Sequence, residues 1–482
     1  MSLRASVTKG VKWTSVSQFG KQGVQFITTA ILAHLLHPSD FGLLGMATII
    51  TGFVALFKDL GTSAAIIQRR EISEELLSSI YWMNIAFGFF AMVVLFLLSP
   101  FIAVFFNESR VEPLLQLMSL SFFVSAVGIV HQALLERELA FNKLAVIEIT
   151  ATIVGSIVGI ASALFGYGVW SLVYQVLVMS GISSLLLWTY STWRPKLILH
   201  WNEIKTVSSY SLNLTGFSIF NYFARNADNL LIGKFLGAQD LGYYALAYRL
   251  AFYPLQVISS VLGRVMFPHY SQLQSDDDRF RDIYLQMSGA ISFLIFPLML
   301  ILFALAQPVI LTVYGSQWLS VVVLIKILIP IAMVQSLGTT VGLIYQSKGR
   351  TDWMFRWGIV SGTMVTVSFI IGLRWGVTGV ATAYLITALL LMYPNFSVPF
   401  RLIHLNIKAL VDVTRRPLIC SLITYVFLAS VRFMTPGISR MVSFGILIPL
   451  ACLLYLLLSW LFNRDQMLRI LSITGLKWFQ QA

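Results

Sequence analysis

Cysteine and charge are both scarce in this chain. Only Cys420 and Cys452 occur, which excludes a disulfide framework and leaves no basis for a cysteine-held metal site. Charged residues make up 11% of 482 positions, against 57% hydrophobic. With a mean hydropathy of +0.81, a chain of this length has more apolar surface than a water-soluble core can hide, so lipid must be its solvent. Chemical motifs are missing as well. There is no G-x-x-x-x-G-K-[ST] loop to cradle a nucleotide, no H-E-x-x-H and no G-x-S-x-G. The six histidines (34, 37, 131, 200, 269 and 404) lie mostly near the ends of apolar stretches and gather in no metal-binding motif. Enzyme chemistry, a cofactor, a metal centre and ATP-driven transport by this chain alone are therefore not expected. The start also lacks an uninterrupted apolar run: Gln18, Lys21, Gln22 and Gln25 break it, unlike a cleavable signal.

Long apolar stretches are abundant. A spanning helix needs about 20 mostly apolar residues. Fourteen stretches qualify: 13–36, 42–66, 79–104, 113–135, 144–165, 168–191, 207–233, 241–267, 284–305, 318–345, 354–374, 377–400, 412–433 and 441–462. The links are short, so the expected fold is an all-α polytopic membrane protein without a sizeable soluble domain.

The chain also repeats itself. Leu36-His37-Pro38-Ser39-Asp40-Phe41-Gly42 returns as Leu236-Gly237-Ala238-Gln239-Asp240-Leu241-Gly242, with Asp and Gly offset by 200 residues. A second echo pairs Gly168-Val169, after Gly166, with Gly379-Val380, after Gly376. Two similar membrane-embedded halves are the architecture of an alternating-access transporter. The expected division is 1–200, 201–404, and a C-terminal part, 405–482, with two more helices and a tail.

Basic residues sort by side. Arg4, Lys9, Lys12, Arg69, Arg70, Arg137, Lys143, Arg194, Lys196, Lys205 and their later counterparts put 23 of the 33 Lys and Arg residues on one side of the membrane, against five on the other (Arg110, Lys234, Arg374, Arg432, Arg440). The positive-inside rule then places both termini in the cytoplasm. The net charge of +13 is spread over eight separate loops, which argues against nucleic-acid binding. Asp276-Asp277-Asp278 looks like a metal cluster, but Arg279 and Arg281 beside it suggest a solvated, self-neutralising loop.

Ionisable groups inside the membrane cost roughly 2.5–3.5 kcal/mol each on insertion scales, so they usually face a cavity or a partner. The first stretch carries Gln18, Lys21, Gln22, Gln25, Thr28 and Thr29 at helical spacing. The seventh carries Asn221, Arg225, Asp228 and Asn229. Two polar stripes, each with a cation, suggest a shared water-filled cavity between the halves. Lys21, Arg225, Arg249 and Lys326, with Gln25 and Asn221, are the candidates for binding an anionic substrate, because Lys and Arg hold phosphate strongly in low dielectric. Tyrosines beside Arg249 (Tyr243, Tyr244, Tyr248, Tyr253) could stack on sugars or form an interfacial belt. Arg225 and Asp228 are three apart and could neutralise each other. Lys21 has no acid within a turn of its own helix. Asp59, Asp228 and Glu148 are candidates for ion coupling or for structural pairing. Gly155/Gly159 and Gly358/Gly362 suit close helix packing. Pro254, Pro268, Pro297 and Pro330 could bend or end helices.

A series of local motifs carries a family resemblance. Met1-Ser2-Leu3-Arg4 with Lys12-Trp13, Phe41-Gly42-Leu43-Leu44, Ile66-Ile67-Gln68-Arg69-Arg70-Glu71-Ile72-Ser73, Tyr81-Trp82-Met83-Asn84, Glu138-Leu139-Ala140-Phe141-Asn142-Lys143 and Leu236 to Tyr244 together resemble the Wzx-type flippases. Within the multidrug/oligosaccharidyl-lipid/polysaccharide exporter superfamily, they are most similar to the colanic-acid exporter group. The resemblance implies two six-helix bundles forming a V, plus two C-terminal helices. It implies transfer of undecaprenyl-pyrophosphate-linked oligosaccharide units across the inner membrane, from cytoplasm to periplasm, through a cationic cavity. A polysaccharide polymerase and export machinery are the implied partners, beside membrane lipids. A multidrug or organic-cation antiporter, a lipid II flippase and a scaffold for polymer synthesis are the rival readings. An acid-dominated cavity would favour the antiporter.

Overall fold

The computed structural model describes residues 3–57, 62–69, 72–198, 211–272, 276–435 and 443–473. Their regular structure is helical throughout. They fall into two compact units, 1–242 and 243–482.

The first unit holds α1 (Leu3–Leu35), α2 (Pro38–Ala55), α3 (Thr62–Gln68), α4 (Glu74–Phe106), α5 (Val111–Arg137), α6 (Phe141–Leu164), α7 (Trp170–Tyr190), α8 (Ser211–Phe235) and the first turn of α9 (Ala238–Gln272). Local chemistry explains several ends. Pro38 opens α2 where its missing N–H costs nothing, and Asp40 accepts from the backbone N–H of His37 at 2.9 Å. Ser73 caps α4 by accepting from the N–H of Leu76 at 3.1 Å, and Asn107 ends it in the left-handed region. Gly166 and Gly168 both take positive φ in the link between α6 and α7, as the glycine-rich turn predicts.

Helix pairing follows small residues. A methyl group at Gly88 of α4 would sit 2.6 Å from Cβ of Ala126 in α5. One at Gly155 of α6 would sit 2.8 Å from the carbonyl oxygen of Gln175 in α7, and one at Gly159 would lie 3.0 Å from Cβ of Gln175. The packing expectation holds there. It does not hold at Gly358, where a methyl group would meet nothing within 4 Å.

The repeated segment folds onto its own copy. A Cβ at Gly42 would collide with the carbonyl oxygen of Ala238, and a Cβ at Gly242 with that of Pro38. The start of α2 and the start of α9 thus cross reciprocally, backbone on backbone. Leu241 is fully buried at this crossing, 3.2 Å from the position a methyl group on Gly45 would take.

The second unit is built on α10 (Asp277–Val313), followed by α11 (Val321–Gly338), α12 (Val341–Ser347), α13 (Thr351–Gly372), α14 (Gly376–Phe400), α15 (Ile407–Met434), α16 (Ile448–Phe462) and α17 (Arg464–Ile473). Helix α10 packs on α11 and α15, α13 on α14, and α15 on α16. Trp318 and Tyr314 are buried where the chain turns from α10 into α11, and Tyr284 meets Phe400 edge-on at 5.4 Å. Pro254, Pro268, Pro297 and Pro330 lie inside α9, α10 and α11 and do not end them. The acidic triplet is spent on structure. Asp276 caps α10 by accepting from the N–H of Arg279 at 3.0 Å, Asp277 pairs with Lys348 at 2.5 Å, and Asp278 pairs with Arg281.

Among the described residues, ten helical segments are long and apolar enough to cross a membrane. Exposed Phe89, Phe90, Phe96 and Phe101 line the outside of α4, an arrangement that suits lipid and not water. The chain is a multi-pass membrane protein. The difference from the fourteen sequence stretches lies in α1, α8 and α9, which carry the polar stripes and the tyrosines, and in Thr351–Ile403, which contains both the eleventh and twelfth stretches.

Candidate functional site

Five helices of the first unit enclose a cavity of about 570 Å³. From α1 come Lys21 and Gln25; from α2, Thr48, Thr51, Gly52 and Ala55; from α5, Ser121, Ser125, Gly128, Ile129 and Gln132; from α6, Leu144, Glu148, Ala151 and Thr152; from α7, Met179, Ser180, Ser183 and Ser184. The lining is mostly hydroxyl, amide and small apolar groups. Lys21 and Glu148 are the charged members.

These two meet. Lys21 Nζ lies 3.6 Å from Glu148 Oε2, and the same oxygen accepts from Ser17 Oγ at 2.6 Å. Glu148 is thus held more closely by a hydroxyl than by the ammonium. Both charged side chains keep about a third of their surface open, 31% and 37%. The hydroxyls of the wall donate to helix carbonyls: Thr152 Oγ1 to that of Glu148 in its own helix at 2.7 Å, and Ser184 Oγ to that of Val124 at 2.8 Å, tying α7 to α5. Gly128 admits α7 closely, since a methyl group there would lie 2.8 Å from Leu187 Cδ1.

Beside Gln132, His131 is fully buried, its ring 4.8 Å from that of Trp188 and 5.4 Å from that of Trp193. Both of its ring nitrogens lack a hydrogen-bond partner among the described residues.

The structure brings Lys21, Gln25 and Glu148 together and leaves the other candidates elsewhere. Asn221 and Arg225 are exposed on α8, which packs on α2 through Tyr222, whose hydroxyl donates to the carbonyl of Ile49 at 2.6 Å. Neither belongs to the cavity lining. Asp228 is buried and accepts from the N–H of Asn229 at 2.8 Å. In the second unit, Arg249 and Lys326 are exposed on α9 and α11, and the Lys326 ammonium sits 5.8 Å from the ring of Phe303. The tyrosines near Arg249 are not a uniform belt. Tyr244 is fully buried, and Tyr248 stacks on Phe252 at 4.2 Å. Asp59 lies outside the described residues.

Sequence reasoning found no acidic residue near Lys21 on its own helix; the folded chain supplies one from another helix, Glu148. Sequence reasoning also missed the hydroxyl wall, although its signal was present: Ser121, Ser125, Gly128 and Gln132 share one face of α5, as do Ser180, Ser183 and Ser184 on α7.

The sequence pattern of the family described as "Polysaccharide biosynthesis protein" matches residues 31–323. The chain belongs to that family. This polysaccharide biosynthesis protein is 28% identical to the lipopolysaccharide biosynthesis protein WzxC of Escherichia coli (strain K12), over 81% of the chain and 80% of that relative. It is also 28% identical to the teichuronic acid biosynthesis protein TuaB of Bacillus subtilis (strain 168), over 74% of each. Among solved structures, the lipid II flippase MurJ in an inward closed conformation shares its fold, with a TM-score of 0.72 over 95% of this chain and 100% of that one, at 16% identity.

Proposed function

We propose that this protein is a flippase, moving polyprenyl-pyrophosphate-linked oligosaccharide units from the cytoplasmic to the periplasmic face of a bacterial inner membrane. The polyprenyl tail would stay in lipid while the headgroup passes through protein. The observation behind this reading is a cavity with an accessible lysine and a hydroxyl-rich wall, inside a multi-pass member of a polysaccharide biosynthesis family. An ammonium suits a phosphate, and hydroxyl and amide side chains suit sugar hydroxyls. The cavity also has a direction. Its lining runs from the middle of the helices toward the ends beside the Arg- and Lys-rich links, reaching Ala55, Gln132, Leu144 and Leu187. By the positive-inside rule that is the side where the substrate is made.

The finer architecture belongs to the same proposal: fourteen spanning helices, two six-helix bundles with two further helices, both termini in the cytoplasm, and alternating exposure of the cavity. Arg225, Asn221, Arg249 and Lys326 are proposed as further headgroup contacts, and Asp59, Asp228 and Glu148 as candidates for ion coupling. A polysaccharide polymerase and export machinery are the partners it implies. The protein acts as a carrier and forms no covalent intermediate.

A strain lacking the gene tests this. Lipid-linked oligosaccharide should accumulate on the cytoplasmic face, with loss of one surface polysaccharide, and its sugars would name the substrate. Normal intermediates with altered drug sensitivity would overturn the proposal in favour of an antiporter.

A further inference from the structure

We infer that Glu148 is a built-in competitor for the substrate's phosphate, sharing the ammonium of Lys21 with it and thereby setting how tightly the headgroup is held. The inference rests on the lipid-linked oligosaccharide reading of the cavity.

Three features of the geometry support it. Lys21 and Glu148 are the charged groups of the lining, so with Glu148 ionised the cavity carries no net charge, and an arriving phosphate meets one attraction and one repulsion. The Lys21–Glu148 distance of 3.6 Å is longer than the 2.7–2.9 Å of a charge-assisted hydrogen bond, so the pair is loose and the ammonium keeps donors to offer. Finally, Ser17 donates to Glu148 at 2.6 Å. The carboxylate therefore keeps one hydrogen bond when the ammonium turns to another anion, which lowers the cost of the exchange. Glu148 reaches the site from α6 while Lys21 and Ser17 share α1, so the arrangement depends on the packing of those two helices.

Such a competitor suits a carrier, which must bind its cargo well enough to admit it and weakly enough to release it. Exchange of one anion for another at a single lysine provides both. The hydroxyl wall would hold the sugars independently of this exchange.

The experiment uses the purified full chain in detergent, titrated with farnesyl pyrophosphate as a short polyprenyl pyrophosphate and followed by tryptophan fluorescence. Glu148→Gln should bind about two- to fivefold more tightly than the unmodified protein, the range for a partly exposed ion pair. Glu148→Ala should shift the same way. Lys21→Gln should lose most binding, and the double variant should recover only the small part due to direct repulsion by Glu148, because Glu148 acts chiefly through the lysine. A merely structural role for Glu148 would not tighten binding. Equal or weaker binding by both Glu148 variants, with the unmodified protein binding normally, overturns the inference and leaves the flippase reading standing. Absence of binding by the unmodified protein and every variant would overturn the anion-binding reading of the cavity itself.

Discussion

Lys21 is the residue on which most depends. It is the cation inside the cavity, whereas Arg225 is exposed on α8 outside its lining. Losing a hydrogen-bonded charge costs about 1.5–3 kcal/mol, or roughly tenfold or more in affinity. Lys21→Gln should therefore lower polysaccharide export in a complemented null strain by about tenfold, at unchanged protein level on an immunoblot. Arg225→Ala should lower it less, and a complete absence of effect from both would favour a scaffold. His131 gives the opposite kind of prediction. Its buried ring contributes packing against Trp188 and Trp193, while both nitrogens stay without partners among the described residues. Removing buried polar atoms that make no bonds is neutral or stabilising. His131→Phe should keep or raise the thermal midpoint of the purified protein, and a fall of several degrees would show that the imidazole has a polar role.

At the scale of elements, glycine decides which helices can touch. The crossing of α2 with α9 has no room for a methyl group at Gly42 or Gly242, because the obstacle on each side is a backbone carbonyl that no rotamer can move. Overpacking of this kind costs about 1–3 kcal/mol or more. Gly42→Ala and Gly242→Ala should each lower the thermal midpoint clearly. Gly358→Ala, in open space on α13, should leave it unchanged or raise it, since alanine restricts the unfolded chain and favours helix. A similar loss at all three positions would show that the α2–α9 crossing is not the sensitive contact. The acidic triplet makes the same point about sequence clusters. Three adjacent aspartates go to a helix cap, Lys348 and Arg281, three separate structural duties.

For the whole molecule, the topology in the membrane decides which way the cavity faces. Ser109 is exposed in the link after α4, and Glu138 is exposed just after α5. With Cys420 and Cys452 replaced by serine, a membrane-impermeant thiol reagent should label Ser109→Cys in intact spheroplasts and Glu138→Cys only after the membrane is opened. The reverse pattern would invert the proposed topology and place the cavity's mouth on the periplasmic side.

Class was legible in the sequence. Hydropathy sums over a window of residues without reference to neighbours, and two halves with a shared Asp-Gly segment are visible by comparing the chain with itself. The membrane character, the helices, the α6 glycines and the membership suggested by serial motifs all follow from such local information. The tertiary structure alone decided which polar groups meet. Lys21 has no acid nearby on α1, yet Glu148 of α6 stands 3.6 Å away. Arg225 sits on a similar stripe of α8 but is exposed and not part of the cavity lining. The serines of α5 and α7 form a wall because those helices pack together, with Gly128 facing Leu187 and Ser184 bonded to the Val124 carbonyl. A sequence gives the periodicity of a helix, but its rotation about its own axis, and hence the face turned inward, is set by packing against neighbours far along the chain.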